Sequence, residues 1–580
     1  MTSDTEATAS SPTDPRQWWR GDVTYQVYIR SFADSDANGL GDVNGIRTHL
    51  PYLADLGVDA IWINPWYPSP QADAGYDVAD YRDIDPGLGT LGQAEAMIHE
   101  AHTLGLRVLL DVVPNHTSDE HPWFVAALKA GHGSPERELY HFRDGSGADG
   151  AEPPNNWQSV FGGSAWHRIT EADGSPGQWY LHLFDTKQPD LNWENPRVRA
   201  EFEDILRFWF DRGADGFRID VAHGLSKDPD LRDLAPAEVE TELLGAVGRT
   251  GHPFWDRDDV HEIYRDWRRV AQEYDPERIF VAEVWVADQV RLAAYLRPDE
   301  LHTAFDFDFV IAPWNAEALR RTASSSLAAH DAVGAPVMWV LSNHDITRHV
   351  TRLGRPEART SADPLHGKAY GKADLTLGRR RARAALLLEL ALPGGVYLYQ
   401  GEELGLEEVE DLPEDLLQDP IWTRSGHTER GRDGCRVPLP WNDSAPSLGF
   451  SDGPGWLPQP PAWAELCVQQ QDRDPASMLT FYRTALRLRR ELSAVGALGA
   501  GDRQALRWLD LDGDDVLAFQ RLVDGTAVLA CVVNTGPEPV ALPVEVAAGK
   551  LLLASSDDAL TDTGQGERLA GDSAVWLRLV

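Results

Sequence analysis

The stretch RVLLDVVPNH (107–116) is an almost unbroken aliphatic run, interrupted at Asp111 and ended by Pro114. It shows no clean alternation of polar and apolar residues, so it reads as a parallel strand covered on both faces. Its polar residues gather at one end. The same design recurs along the chain in VTYQVYIRSF (23–32), AIWINP (60–65), GFRIDVA (216–222), IFVAEVW (279–285), FDFDF (305–309), VMWVLSNHD (337–345) and GVYLYQG (395–401). Helical stretches lie between them; LGQAEAMIHEAHTLGL (91–106) carries apolar residues at helical spacing and a glycine near its end. Eight such units predict an α/β fold, a (β/α)8 TIM barrel. Fewer would give an open doubly wound sheet, but no phosphate-cradling glycine loop follows the first strand.

Two connections are too long for simple loops. Residues 114–190 follow the third strand, include PPNNWQSVFGGSAWH (153–167), and read as a small inserted domain. Residues 406–476, rich in Pro, Trp and Asp, read as an excursion beside the site. SMLTFYRTALRLRREL (477–492) then closes the barrel, which spans 18–113 and 191–496. Beyond 497, short runs such as ALRWLDL, DVLAFQRL and TAVLACVVN alternate with turn residues, predicting a C-terminal antiparallel β-sandwich over 497–580. Residues 1–17 read as a disordered tail.

The 580 residues carry 53 basic and 92 acidic side chains, a net charge of -39. Such a surface repels phosphate backbones and anionic lipid, so neither nucleic acid nor membrane is an expected partner, and a small neutral substrate fits. The three cysteines are widely spaced and read as free thiols in a reducing compartment. With no apolar leader and no run of membrane-span length, a cytoplasmic enzyme is expected, as a monomer or homodimer.

In this barrel, active sites collect at the C-terminal ends of the strands. There the third strand offers Asp111 and Asn115-His116, the fourth Arg218 and Asp220, the fifth Glu283, and the seventh Asn343-His344-Asp345. A lone Asp at a strand end is more often a cap or an ion pair. Several carboxylates converging from separate strands are costly unless used. Glycoside hydrolysis uses such a set: one carboxylate and one carboxylic acid across an oxocarbenium-like transition state. An Arg two residues from Asp220 shares its strand face and would keep it ionised.

DVVPNH (111–116), GFRIDVA (216–222), EVW (283–285) and SNHD (342–345) resemble the four ordered motifs of the α-amylase clan of glycoside hydrolases. QPDLNW (188–193) resembles the fifth motif of its oligo-1,6-glucosidase and α-glucosidase branch. The resemblance covers roughly 20–490. It implies Asp220 as nucleophile, Glu283 as acid/base and Asp345 as transition-state stabiliser. It implies Arg218 as partner of the nucleophile, and His116 and His344 as donors to the terminal glucose. Asp73 and Tyr76 in DAGY (73–76) match a hydroxyl-binding carboxylate and a stacking ring. Arg436 in CRVPLPW matches the arginine that closes the pocket with Asp73. Phe161 and Phe184 match aromatic walls from the inserted domain, with core packing as the alternative.

The activity so implied is an exo-acting retaining α-glucosidase on short maltose- or isomaltose-type substrates, with transglucosylation alongside. Alternatives are a trehalose synthase or sucrose isomerase type of glucosyl-transferring enzyme, or a strict oligo-1,6-glucosidase. In this branch a Val after the nucleophile, here Val221, accompanies α-1,6 preference, but the context VAHGLSKD resembles a maltose-hydrolysing group. Non-catalytic transporter relatives lose the catalytic carboxylates; this chain keeps all three.

DSDANGLGD (34–42) places Asp34, Asp36, Asn38 and Asp42 at alternating positions, with the Leu40 carbonyl between them. This matches the first two-thirds of an EF-hand loop, but Gly45 stands where the bidentate glutamate belongs. A structural Ca2+ or Mg2+ is expected there, against a plain Asx-rich turn. Catalysis itself needs no cofactor.

Overall fold

In the computed structural model, RVLLDV forms strand β3 (Arg107–Val112), flanked by β2 (Ala60–Ile63) and by β7 (Gly216–Ile219). Residues 15–235, 251–286, 288–359, 371–499, 505–511, 514–562 and 566–579 are described. With β1 (Val23–Val27), β8 (Ile279–Ala282), β9 (Thr303–Ala304), β10 (Met338–Val340) and β11 (Gly395–Tyr399), these strands make one parallel sheet in the order β10-β11-β1-β2-β3-β7-β8-β9. A parallel bridge between Phe305 and Met338 joins the two ends, so the sheet is a closed TIM barrel. Side chains of β1, β2, β3, β7, β8 and β11 are almost wholly buried, as strands wrapped by helices require.

Local sequence sets the helix starts. Asp42 caps Val43–Leu56 by accepting from the Gly45 N–H, Thr90 caps Leu91–Thr103, and Asn195 precedes a proline at the start of Pro196–Phe210. Each such cap contributes about 1 kcal/mol. The expected closing helix is Met478–Ser493, capped by Ser477.

Within the inserted segment, β4 (Phe142–Arg143), β5 (Trp166–Thr170) and β6 (Pro176–Leu181) form a small antiparallel sheet. The C-terminal part holds a five-stranded and a three-stranded antiparallel sheet. They enclose Leu509, Val532, Leu542, Leu569 and Leu577. It is fixed to the barrel helix Leu375–Ala391: Trp576 donates to the Leu387 carbonyl at 2.9 Å, and Arg381 pairs with Asp572 at 2.8 Å.

Three expectations need correction. The first 14 residues of the expected tail lie outside the described residues, but Pro15–Arg20 is a 3-10 helix. Trp19 packs there, 8% exposed and edge-on to His302. The first strand ends at Val27, because Ile29–Ser31 turns into a 3-10 helix. FDFDF is not the sixth strand: that is Thr303–Ala304, and Phe307–Val310 is a helical turn capped by Asp306, which accepts from the Phe309 N–H. The alternation of Phe and Asp mimics a strand, but an Asp able to cap ends it.

Just past the end of β11, Glu402 is buried. One carboxyl oxygen accepts from the Tyr399 N–H at 3.0 Å and the other has no partner. Burial pushes its carboxyl up to about 8, with Glu403 adding to the rise. A raised folded-state value means that stability is fully present below the ordinary glutamate range and is lost as pH rises toward 8. Glu402→Gln should therefore lose less stability than the parent between pH 5 and pH 8.5, by up to about 1.4 kcal/mol per pH unit. Denaturant melts at both pH values measure this; equal slopes would show that Glu402 is not held neutral.

Candidate active site

The C-terminal strand ends converge on Arg218. Its Nη1 donates to Asp111 (3.0 and 3.1 Å) and to Asp220 (2.8 Å), and its Nη2 donates to Glu283 at 2.6 Å. The guanidinium and Asp111 are shut off from solvent, whereas the side chains of Asp220 and Glu283 keep 9% and 14% exposure. One cation thus sets the spacing of two partly open carboxyls from neighbouring strands. Burial pushes Asp220 upward, opposed by Arg218 and reinforced by Glu283 and Asp111. Burial also takes Asp111 to about 7 despite Arg218. Asp111 and Asp220, crowded on one guanidinium, titrate together and favour keeping a proton.

Glu283 has two further donors. The Val221 N–H reaches Oε2 at 3.1 Å, and the Trp285 Nε1–H reaches Oε1 at 3.2 Å. Trp285 is stacked on Phe307 at 3.8 Å, so the helical turn that replaces the expected strand supports this group. Val221 itself has φ of +46°, an uncommon and strained conformation for a β-branched residue.

Tyr76 and His344 form one wall, their rings stacked at 5.4 Å with 9° between planes. The Gln26 amide donates to His344 Nδ1 at 2.7 Å, leaving Nε2–H for the Tyr76 hydroxyl at 2.6 Å; that hydroxyl donates to Asp111 at 3.2 Å. Burial holds His344 well below its ordinary value, so its ring is neutral. Burial likewise takes His116 to about 4. His116 meets Gln188 at 3.0 Å and the Tyr76 carbonyl at 3.2 Å. Phe184 lies 5.2 Å from the His116 ring and 5.6 Å from Phe161, so both aromatics of the inserted segment face the site.

Asp345 is held well below the usual carboxylate range. Burial opposes this, but the guanidinium groups of Arg432, Arg436 and Arg218 outweigh it. Arg436 donates to Asp345 and to the His344 carbonyl, at 3.0 and 2.9 Å. It does not pair with Asp73. That partner is Arg432, whose Nη2 lies 2.9 Å from Asp73 Oδ1. Arg432 also reaches Asp345 (3.0 Å) and Asp419 (2.6 Å). Arg432 and Arg436 flank the 3-10 turn Asp433–Cys435, and both reach Asp345. The sequence pointed only to Arg436, in CRVPLPW, as the partner of Asp73. Arg432, Asp419 and Gln188 were missed because their roles depend on contacts between residues far apart in the chain. Asp73 is set by the DAGY turn, with Ala74 and Gly75 both at positive φ.

The acidic loop lies apart from this centre. Asp34 accepts from the N–H groups of Asp36, Ala37 and Gly39, while Asp42 caps the first barrel helix. Asp34, Asp36 and Asp42 each bring one carboxylate oxygen within 4.8 Å of the others. Asn38 turns its side-chain oxygen to the Leu40 N–H at 2.8 Å. This hard oxygen set fits Ca2+ or Mg2+. The loop is tied to the excursion through Asp34 N–H to Phe450 and Trp456 N–H to Gly39, at 2.8 and 3.0 Å.

The described residues contain no helix long and apolar enough to cross a membrane. Residues 26–497 match the family model described as alpha amylase, catalytic domain, and residues 506–576 match a domain of unknown function, DUF3459. The chain is 39% identical over 552 residues to a probable alpha-glucosidase of Rhizobium meliloti (strain 1021), covering 92% of each chain. It is 36% identical over 510 residues to an oligo-1,6-glucosidase of Parageobacillus thermoglucosidasius, covering 82% of this chain and 84% of that one. The crystal structure of the alpha-glucosyl transfer enzyme XgtA superimposes with a TM-score of 0.80 at 34% identity, over 97% of this chain and 99% of that one.

Proposed function

The chain belongs to the α-amylase family of glycoside hydrolases, and from that premise we propose that it is an exo-acting retaining α-glucosidase releasing glucose from the non-reducing end of short α-1,4- and α-1,6-linked substrates. Asp220 attacks the anomeric carbon as Glu283 protonates the leaving oxygen; Glu283 then takes a proton from the water that cleaves the glucosyl ester. Arg218, bonded to both, holds the two carboxyls on one guanidinium. Asp345, His344, His116 and Arg436 take the sugar hydroxyls, and Tyr76 offers a ring face.

The observation that carries the exo reading is Arg432 bridging Asp73, Asp345 and Asp419. This bridge closes one end of the site behind a single terminal sugar. NMR of 4-nitrophenyl α-glucoside and amylose digests tests it: α-glucose should appear first from the nitrophenyl glucoside, and longer α-glucans should be cut only from their ends. Early β-glucose would overturn retention, and internal cleavage of amylose would overturn the exo reading. Glucosyl transfer is the second reading, favoured by the apolar wall of Val221, Phe161, Phe184 and Trp255, which limits water beside the acceptor. Trehalose accumulating from maltose, or isomerised disaccharide from sucrose, would make transfer the main activity.

The loop Asp34, Asp36, Asn38, Leu40 and Asp42 holds a structural Ca2+ or Mg2+ in this reading, supported by its carboxylate cluster. Chelation should then lower Tm by several degrees through the excursion that the loop anchors, and added Ca2+ or Mg2+ should restore it. An unchanged melt would remove the cation. The free, buried thiols of Cys435, Cys467 and Cys531 support a cytoplasmic location.

A further inference from the structure

Where the inserted segment meets the starts of the helices Pro196–Phe210 and Val260–Ala271 lies a cavity of about 250 Å3. Its walls include His141, Trp193, Arg199, Ser226, Lys227 and Glu262. Taking a water's share as ~30 Å3, this is room for roughly eight waters, or one monosaccharide-sized molecule.

His141 lines the cavity at 6% exposure. Neither of its ring nitrogens has a partner in hydrogen-bonding geometry; the Leu191 carbonyl lies nearby, badly aligned. A buried polar group left in this way costs about 1–3 kcal/mol, which a hydroxyl of a bound molecule would offset. Burial, with Lys227 and Arg143 nearby, holds the ring well below its ordinary value, so it is neutral and can both donate and accept.

The other groups narrow the ligand class. Glu194, Asp259 and Glu262 at the rim are exposed acceptors and disfavour an anion. Arg199 and Lys227 disfavour a cation. Lys227 is itself committed, donating to Asn115 (2.7 Å) and the Gly224 carbonyl (2.5 Å) and pairing with Asp190 at 2.8 Å. Mixed donors and acceptors beside Leu225 and Ile263 suit a neutral molecule with many hydroxyls and some C–H surface.

We propose that this cavity is a second ligand site for one neutral, monosaccharide-sized polyol, and that occupancy is transmitted to the active site through Lys227. The path is short: Lys227 holds Asn115 and Asp190, and the Asn115 amide contacts both Asp190 and His116 Nδ1, each at 3.1 Å. His116 stands in the pocket proposed for the terminal sugar. Naming glucose as the occupant rests on the proposed hydrolysis, which releases it; the cavity does not depend on that reading.

The test starts from enzyme whose nucleophile is trapped with 5-fluoro-α-D-glucosyl fluoride, so that the glucosyl position is filled; the acceptor position beside it stays open, so only the uptake lost in His141→Phe counts for the cavity. Titration with glucose, read by calorimetry, should give one saturable equivalent, and sorbitol should show whether a ring is needed. His141→Phe, or Glu194→Gln on the exposed rim should the first fail to fold, should weaken that binding at least about tenfold. In untrapped enzyme, glucose inhibition should be mixed for the parent and purely competitive for the variant, with glucose-free initial rates within about twofold. No saturable uptake by the trapped parent, or uptake by the variant equal to that of the parent, overturns the second site. Failure of the trap to label the enzyme would count against the hydrolase reading instead, and direct glucose titration of parent and variant would still decide the cavity.

Discussion

Asp220→Ala is expected to lower glucoside turnover by on the order of 10^4-fold or more while leaving the Tm near that of the parent. The loss follows from removing the atom that forms the covalent bond, since no other carboxylate takes its place: Asp111 is fully buried behind Arg218, and Glu283 is held by Val221 and Trp285. The fold should survive because the change relieves a crowd of like charges around one guanidinium. Azide gives the sharper reading. In Asp220→Ala it should enter the vacated space and yield β-glucosyl azide, whereas in Glu283→Ala, where a glucosyl ester still forms, it should yield the α anomer. Near-parental hydrolysis by Asp220→Ala, or the same anomer from both variants, would undo the assignment.

Arg432→Met is expected to cost at least about 10^2-fold in kcat/KM, and more stability than any single aromatic wall. Three carboxylates share this cation, and removing one member of a buried ion-pair set costs about 3–5 kcal/mol. Arg432→Lys should not rescue, because an ammonium cannot span three acceptors in the way that a planar fork does. Asp345 loses part of what holds it ionised, so it takes up a proton at higher pH, and the acid limb of the rate profile should move upward. Arg432→Met with Asp419→Asn should recover part of the loss by removing one stranded charge. A single variant with parental kcat/KM and an unmoved acid limb would sink the closed-pocket reading.

Much of this architecture is legible in the sequence, for one physical reason. Buried parallel strands must be nearly continuous in Val, Ile and Leu, so RVLLDV, GFRI and GVYLY announce themselves, and the polar residues that end them fall on one rim. Asp111, Arg218, Asp220, Glu283 and Asp345 are found together for that reason. What resists reading depends on distance through space. That Arg432 and not Arg436 bonds Asp73 shows only in a contact between residues 359 positions apart. Asp419 has no motif of its own and is known only by the arginines it holds. FDFDF misleads because period-two alternation and an Asp cap share the same letters, and Phe305 does join the barrel through a bridge before the chain turns.

Val221 ties the backbone of the nucleophile segment to the acid, since its strained N–H is one of the donors that fix Glu283. A protein selected for stability alone would relax such a position first. Attempts to make this enzyme more heat-resistant by substituting residues whose backbone angles suit glycine or asparagine would single out position 221, and the gain in melting temperature would come with slackened chemistry. The residue therefore marks a point where evolutionary pressure for turnover has outweighed pressure for durability, and stabilising designs should begin by holding it fixed.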